Sequence, residues 1–298
     1  MKNYVKNSDR SSCGKPGFID VEKRGKTEKM VKLAPWAVLL HIDRHGDGSR
    51  APAVCGGTLI TRKHIITAAH CFRKETTVRA KKSSRECSRE EGMTSEEALK
   101  RTKAIVGSTC SVVDPAINCF DELIGEEIKV VRVQIGDFFR KKCSQGNDYA
   151  LLELERPVDD KFQAHHVCLP HIENVPLGDQ KKLTAFGWGS DPLQEYNSIP
   201  TPFLQIVGLD RMGSEQCFEE VGDEMTKDAL CTVELSKKNV CSGDSGGGIT
   251  FQNKRRHYLA AIISYGSDCN SLVRGTRPKA QINTDISKYI SQIATFIK

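Results

Sequence analysis

The stretch Cys241-Ser-Gly-Asp-Ser-Gly-Gly-Gly248 decides how this chain is read. Ser245 stands between Asp244 and Gly246, with glycines crowding both sides. A serine that attacks a bound substrate needs a backbone that approaches closely and aims adjacent N–H groups at one oxygen. Glycine permits that conformation at little steric cost. Taken alone, Gly-Asp-Ser-Gly-Gly also fits an ordinary turn, so its meaning depends on partners elsewhere in the chain.

Two such partners stand out. Thr67-Ala-Ala-His-Cys71 places His70 directly after a β-rich segment, and Asn147-Asp-Tyr-Ala-Leu-Leu-Glu-Leu154 opens an apolar strand with Asp148. A histidine titrates near neutrality and can take and return a proton; an inward-facing carboxylate can fix its tautomer. Neither residue is decisive alone, because lone histidines are often structural and such aspartates often cap strands.

The rest of the chain bounds the setting. Its 298 residues are 38% hydrophobic and 28% charged, with a net charge of +6, as expected of a globular protein with one or two cores. The basic runs Arg140-Lys-Lys142 and Lys254-Arg-Arg256 read as solvated loops, and no apolar run is long enough to span a bilayer. Twelve cysteines, scattered and without a Cys-x-x-Cys pair, read as disulfides formed in an oxidising compartment rather than a metal site. Residues 1–10 lack the apolar stretch of a signal peptide. The expectation is therefore a secreted, extracellular protein whose leader is absent from this chain, with no membrane or nucleic-acid partner.

Residues 1–24 are polar and read as a pro-segment or tether. From Ala34 onward, short apolar strands alternate with Gly/Asp/Pro turns, which indicates an all-β sandwich or barrel. Two segments break the pattern. Thr94 to Gly107 begins with a capping box, Thr94 with Glu97, and ends at glycine, predicting a short helix. At the C-terminus, Ile286, Ile290, Ile293 and Ile297 mark one apolar helix face.

With all three sites in hand, the chain resembles the chymotrypsin/trypsin family of serine endopeptidases. The order His70, Asp148, Ser245 is that family's order. Cys55-Gly-Gly-Thr-Leu-Ile60, Phe186-Gly-Trp-Gly189, Ser264-Tyr-Gly266 and Asn283-Thr-Asp-Ile-Ser-Lys-Tyr289 resemble further family segments. The resemblance implies two six-stranded antiparallel β-barrels with a C-terminal α-helix. The peptidase domain would cover 25–298: a first barrel over about 25–160 with an insertion over about 75–143, a second over about 161–285, and the helix at 286–298. It also implies a monomer that needs no cofactor and no metal. Its partners would be a protein or peptide substrate, an activating protease and an inhibitor.

The resemblance assigns roles as well. His70 would be the base, Asp148 its support, Ser245 the nucleophile, and the Gly243 and Ser245 N–H groups the oxyanion hole. Ser264 would support the aspartate beside a segment that pairs with bound peptide. Cys55–Cys71, Cys217–Cys231 and Cys241–Cys269 resemble family disulfides. Cys13–Cys168 would keep a cut pro-segment attached. Cys87, Cys110, Cys119 and Cys143 are left with three possible pairings.

Departures from the family concern specificity and activation. Asn239, six residues before the nucleophile, brings no charge to the base of the specificity pocket. Gly266 keeps one wall open, while Gln281 stands where small residues are usual on the opposite wall. Asp268 lies near the mouth. Activation by a cut would create an N-terminal ammonium that pairs with Asp244. A cut after Arg24 is the best candidate, yet it exposes Gly25, which forgoes about 1.5–3 kcal/mol of burial relative to an isoleucine. Two other readings follow: a non-catalytic binding protein on a protease scaffold, and a polyanion-binding module using Lys254-Arg-Arg256.

Overall fold

The computed structural model describes residues 13–23, 26–32, 34–75, 89–111, 124–140, 145–159, 164–193 and 200–298. Arg24, Cys87, Cys119 and Cys143 lie outside these residues. An antiparallel pair comes first: β1 (Gly17–Lys23) against β2 (Lys26–Lys32), in a register that sets Lys23 opposite Lys26. Strand pairing thus runs across the expected boundary at 24/25.

Six strands then close into a barrel in the order β3-β4-β5-β8-β7-β6. They are β3 (Ala37–Ile42), β4 (Ala53–Leu59), β5 (His64–Thr67), β6 (Thr102–Val106), β7 (Glu126–Ile135) and β8 (Ala150–Leu154). Two of them, β6 and β7, come from the stretch 75–143 expected as an insertion, so that stretch builds barrel wall. Helix α1 (Ser95–Arg101) carries the capping box: Glu97 N donates to Thr94 Oγ1 at 3.1 Å, and Thr94 N to Glu97 Oε2 at 2.8 Å. It ends at Arg101 rather than continuing toward Gly107. From Thr102 the residues alternate between buried and exposed, and pairing with β3 and β7 overrides helix propensity. Thr94→Ala removes one of these reciprocal bonds and is expected to cost about 1 kcal/mol in denaturant-unfolding free energy.

The second half is a curled six-stranded sheet in the order β10-β9-β12-β13-β14-β11. Its strands are β9 (Lys182–Gly187), β10 (Gln205–Asp210), β11 (Ala229–Val233), β12 (Gly248–Asn253), β13 (Arg256–Tyr265) and β14 (Ala280–Asp285). It is a half-barrel: the edges approach only beyond β10, where Arg211 bridges to Thr232 and Met212 N donates to Cys231 O at 2.9 Å. Short helices α2 (Pro170–Glu173), α3 (Ser214–Val221) and α4 (Cys269–Val273) decorate this half. Within the basic run 254–256, Arg256 pairs with Glu173 at 3.0 Å.

At the end, a 3₁₀ turn (Ile286–Tyr289) leads into helix α5 (Ile290–Phe296). Ile286, Tyr289, Ile293, Phe296 and Ile297 belong to the same buried cluster as Leu40, Leu59, Ile66 and Leu152. The helix that follows the second half therefore packs on the first. Arg132 of β7 lies over the Phe296 ring, 4.1 Å from its centroid, and also donates to Phe296 O. Among the described residues, four disulfides have both partners placed, each pairing as the family resemblance implied: Cys13–Cys168, Cys55–Cys71, Cys217–Cys231 and Cys241–Cys269. Cys110 is also disulfide-bonded.

Candidate active site

Antiparallel pairing of β5 and β8 brings two of the candidate residues together. Thr67 faces Ala150 in the register, so His70, three residues past β5, and Asp148, two before β8, emerge at the same end. Asp148 Oδ1 accepts the His70 backbone N–H at 2.8 Å, and Oδ2 lies 2.8 Å from His70 Nδ1. The second half completes this shell: Ser264 Oγ donates to Asp148 Oδ2, and Thr284 Oγ1 donates to Asp148 O at 3.0 Å. Asp148 is 3% exposed. Burial alone would raise its pKa, but the charge of His70 and hydrogen bonds from His70 and Ser264 outweigh this and hold the carboxyl below the usual carboxylate range.

Ser245 arrives on the loop before β12. Its carbonyl accepts Gly56 N from β4 at 2.7 Å, which ties the loop to the first barrel. Gly246, at φ +80°, lies so close to Thr67 Oγ1 and Gly56 O that any Cβ there would collide with both. The glycines of the motif thus let the loop lie directly on the strands that lead to His70. Among the described residues no hydrogen bond reaches the Ser245 hydroxyl, and the N–H groups of Gly243 and Ser245 donate to no protein acceptor. A hydroxyl, a carboxylate-oriented imidazole and two undonated N–H groups on one loop supply a nucleophile, a base and an electrophilic site for acyl transfer.

Asp244 is buried, and its carboxylate is cradled by the Gly-Trp-Gly segment. Gly189 N donates to Oδ1 and Cys241 N to Oδ2, both at 2.8 Å, and a Cβ at Gly187 or Gly189 would collide with the carboxylate. Desolvation pushes its pKa up to about 6, against the two backbone bonds. A cavity of about 190 Å³ opens beside it, lined by Gly189, Asp191, Leu193, Lys238 and Asn239 among others.

The remaining candidates take other places. Ser264 is spent on Asp148. Asn239 turns its amide onto Leu235, accepting from Leu235 N at 3.0 Å and donating to Leu235 O. Asp268 caps α4 by accepting Ser271 N at 2.8 Å. Gly266 is exposed and Gln281 buried beside it. Three features went unnoticed in the sequence. Phe138 lies against His70, with centroids 6.4 Å apart. Buried Asp228 accepts Tyr289 Oη and Asn147 N, anchoring the residue before Asp148. Buried Glu234 lies beside Gly266. The only signal for the two acids was an apolar strand, Ala229–Val233, flanked by carboxylates.

Comparison with known proteins settles the family. The family model Trypsin matches residues 23–111 and 122–290. The chain belongs to the trypsin family. A Caenorhabditis elegans protein named trypsin-like protease try-5 is 40% identical over 96% of this chain and 90% of its own length. CLIP domain-containing serine protease B9 of Anopheles gambiae is 26% identical over 98% of this chain and 67% of its own. Phenoloxidase-activating factor 1 of Holotrichia diomphalia is 26% identical over 86% and 64%. Among the described residues of this trypsin-family chain, no helix is long and apolar enough to cross a membrane.

Proposed function

We propose that this trypsin-family chain is a secreted serine endopeptidase that hydrolyses peptide bonds through an acyl-enzyme. The observation that carries the reading is the Asp148 carboxylate, which grips both the backbone and Nδ1 of His70 while Ser245 lies on a loop bonded to the same barrel. With Nδ1–H held by Asp148, Nε2 is the free basic nitrogen. It takes the Ser245 proton as Oγ attacks the scissile carbonyl and returns it to the leaving amine; water then repeats the cycle on the ester. Proton transfer needs Ser245 Oγ within hydrogen-bond reach of Nε2 in the substrate complex. The Gly243 and Ser245 N–H groups hold the developing oxyanion, each donor worth about 10²–10³ in turnover.

The cavity beside the unpaired Asp244 supports synthesis as a zymogen. A cut after Arg24 by an activating protease would supply an ammonium for it, while Cys13–Cys168 retains the pro-segment. The closed surroundings of Gln281 favour one second reading, a catalytically silent homologue that binds protein.

Fluorophosphonate labelling after limited proteolysis separates the two. The endopeptidase labels and its Ser245→Ala variant does not; absence of label under every activation treatment leaves the binding protein.

A further inference from the structure

Beside the nucleophile loop, β13 runs out into exposed Gly266. A Cβ placed there would lie 2.8 Å from Glu234 Oε1 and 2.9 Å from Gln281 Cδ, so both side chains fill the space that this glycine leaves. Gln281 is 3% exposed and Glu234 2%. The Gln281 amide is fixed: Nε2 donates to Val240 O at 2.9 Å, next to Cys241. Its side chain therefore crosses from β14 to the segment that leads into the nucleophile loop.

Glu234 meets only neutral donors. Oε1 accepts Ser267 N at 2.6 Å, and Oε2 accepts Ser267 Oγ and Lys279 N, both at 2.8 Å. Among the described residues no lysine or arginine side chain forms an ion pair with it. A buried carboxylate with its hydrogen bonds satisfied but no countercharge is poised to receive a cation. Asn239, which the sequence marks as the pocket base, faces Leu235 instead.

We infer that Gln281 is a bar across the primary substrate pocket and Glu234 the anionic group beside it. The inference rests on the endopeptidase reading. Intact, the bar stops a long side chain before it reaches Glu234, so the residue preceding the scissile bond must be small and uncharged. Removing the bar converts the pocket to one that takes Arg or Lys through a charge-assisted bond to Glu234. The acid thus stands in for the charge that Asn239 lacks.

The test is Gln281→Gly, with Gln281→Ala as a second variant that spares β14 an internal glycine. Peptides differing only before the scissile bond, as Ala, Ser, Phe, Gln or Arg, are compared by kcat/KM. Wild type is expected to prefer Ala and Ser, and the opened variants to raise the Arg-to-Ala ratio by about 10–100-fold. Adding Glu234→Gln should remove the Arg gain while leaving that for Phe and Gln. An arylamidine gives a readout independent of turnover: it should bind the opened variants by calorimetry, and neither wild type nor the Glu234→Gln combination. Wild-type preference for Arg or Phe, or unchanged ratios and no amidine binding in a variant that labels with fluorophosphonate, overturns the bar. Amidine binding without label at Ser245 sustains the bar and defeats the endopeptidase reading; neither binding nor label defeats both.

Discussion

His70→Ala is expected to lower peptide turnover by about 10⁶-fold and to leave the fold in place. Without the imidazole no nearby base accepts the Ser245 proton, and a neutral alcohol attacks an amide very slowly. The same change is mild for stability. The His70 side chain is 21% exposed, and its ring lies against Phe138. Asp148 keeps the backbone N–H of residue 70 and the Ser264 hydroxyl, so its carboxylate is not orphaned. Steady-state kinetics beside thermal unfolding checks both halves of the statement. Asp148→Asn gives a graded control, with a loss of about 10⁴-fold from the wrong imidazole tautomer. Peptidase activity surviving in His70→Ala would remove the residue from the role of base.

The second large effect is on stability and depends on pH. The folded pKa of Asp244 is about 6, above its ordinary value of 3.8, because desolvation penalises the ionised form. A raised folded pKa means that its contribution is complete below the ordinary carboxylate range and is lost as pH rises through about 6. For the uncut chain the loss amounts to about 3 kcal/mol by neutral pH. Asp148 has the opposite sign: its lowered pKa makes stability fall as pH drops. The measurement is therefore a difference, the unfolding free energy of wild type minus Asp244→Asn at several pH values. Asparagine brings a fixed penalty, since its NH₂ must face either Gly189 N–H or Cys241 N–H, but no titration. The difference should decline between pH 4 and 7 in uncut protein and flatten once an N-terminal ammonium occupies the cavity. A flat difference in the uncut chain would show that Asp244 is ionised without cost.

Much of the site was legible because close approach leaves a mark in residue types. Gly246 is demanded by Thr67 and Gly56, and Gly187 and Gly189 by Asp244, so the chemistry of the loop is written in glycines around it. The pairings of these four disulfides were legible only through the family resemblance. Side-chain direction was not legible. Counting back from Ser245 finds Asn239 but does not reveal that its amide turns to Leu235, nor that Glu234 takes the place beside Gly266. In the fold, the capping box at Thr94 correctly starts a helix. The run Thr102-Lys-Ala-Ile-Val106 then follows a two-residue alternation that the helical reading passed over, and with it went a barrel wall.

Helix α5 and the two hydroxyls on Asp148 tie the first barrel to residues far along the chain. Ser264 and Thr284 stand 116 and 136 positions beyond the aspartate that they clasp, and the helix residues share a buried cluster with strands far earlier in the chain. The first barrel alone therefore holds an imidazole and an acid whose carboxylate lacks one hydroxyl clasp and whose carbonyl lacks the other. A stop codon placed before Ile286 would leave the first-barrel cluster around Leu59 and Leu152 without Ile286, Ile293, Phe296 and Ile297, which pack into it.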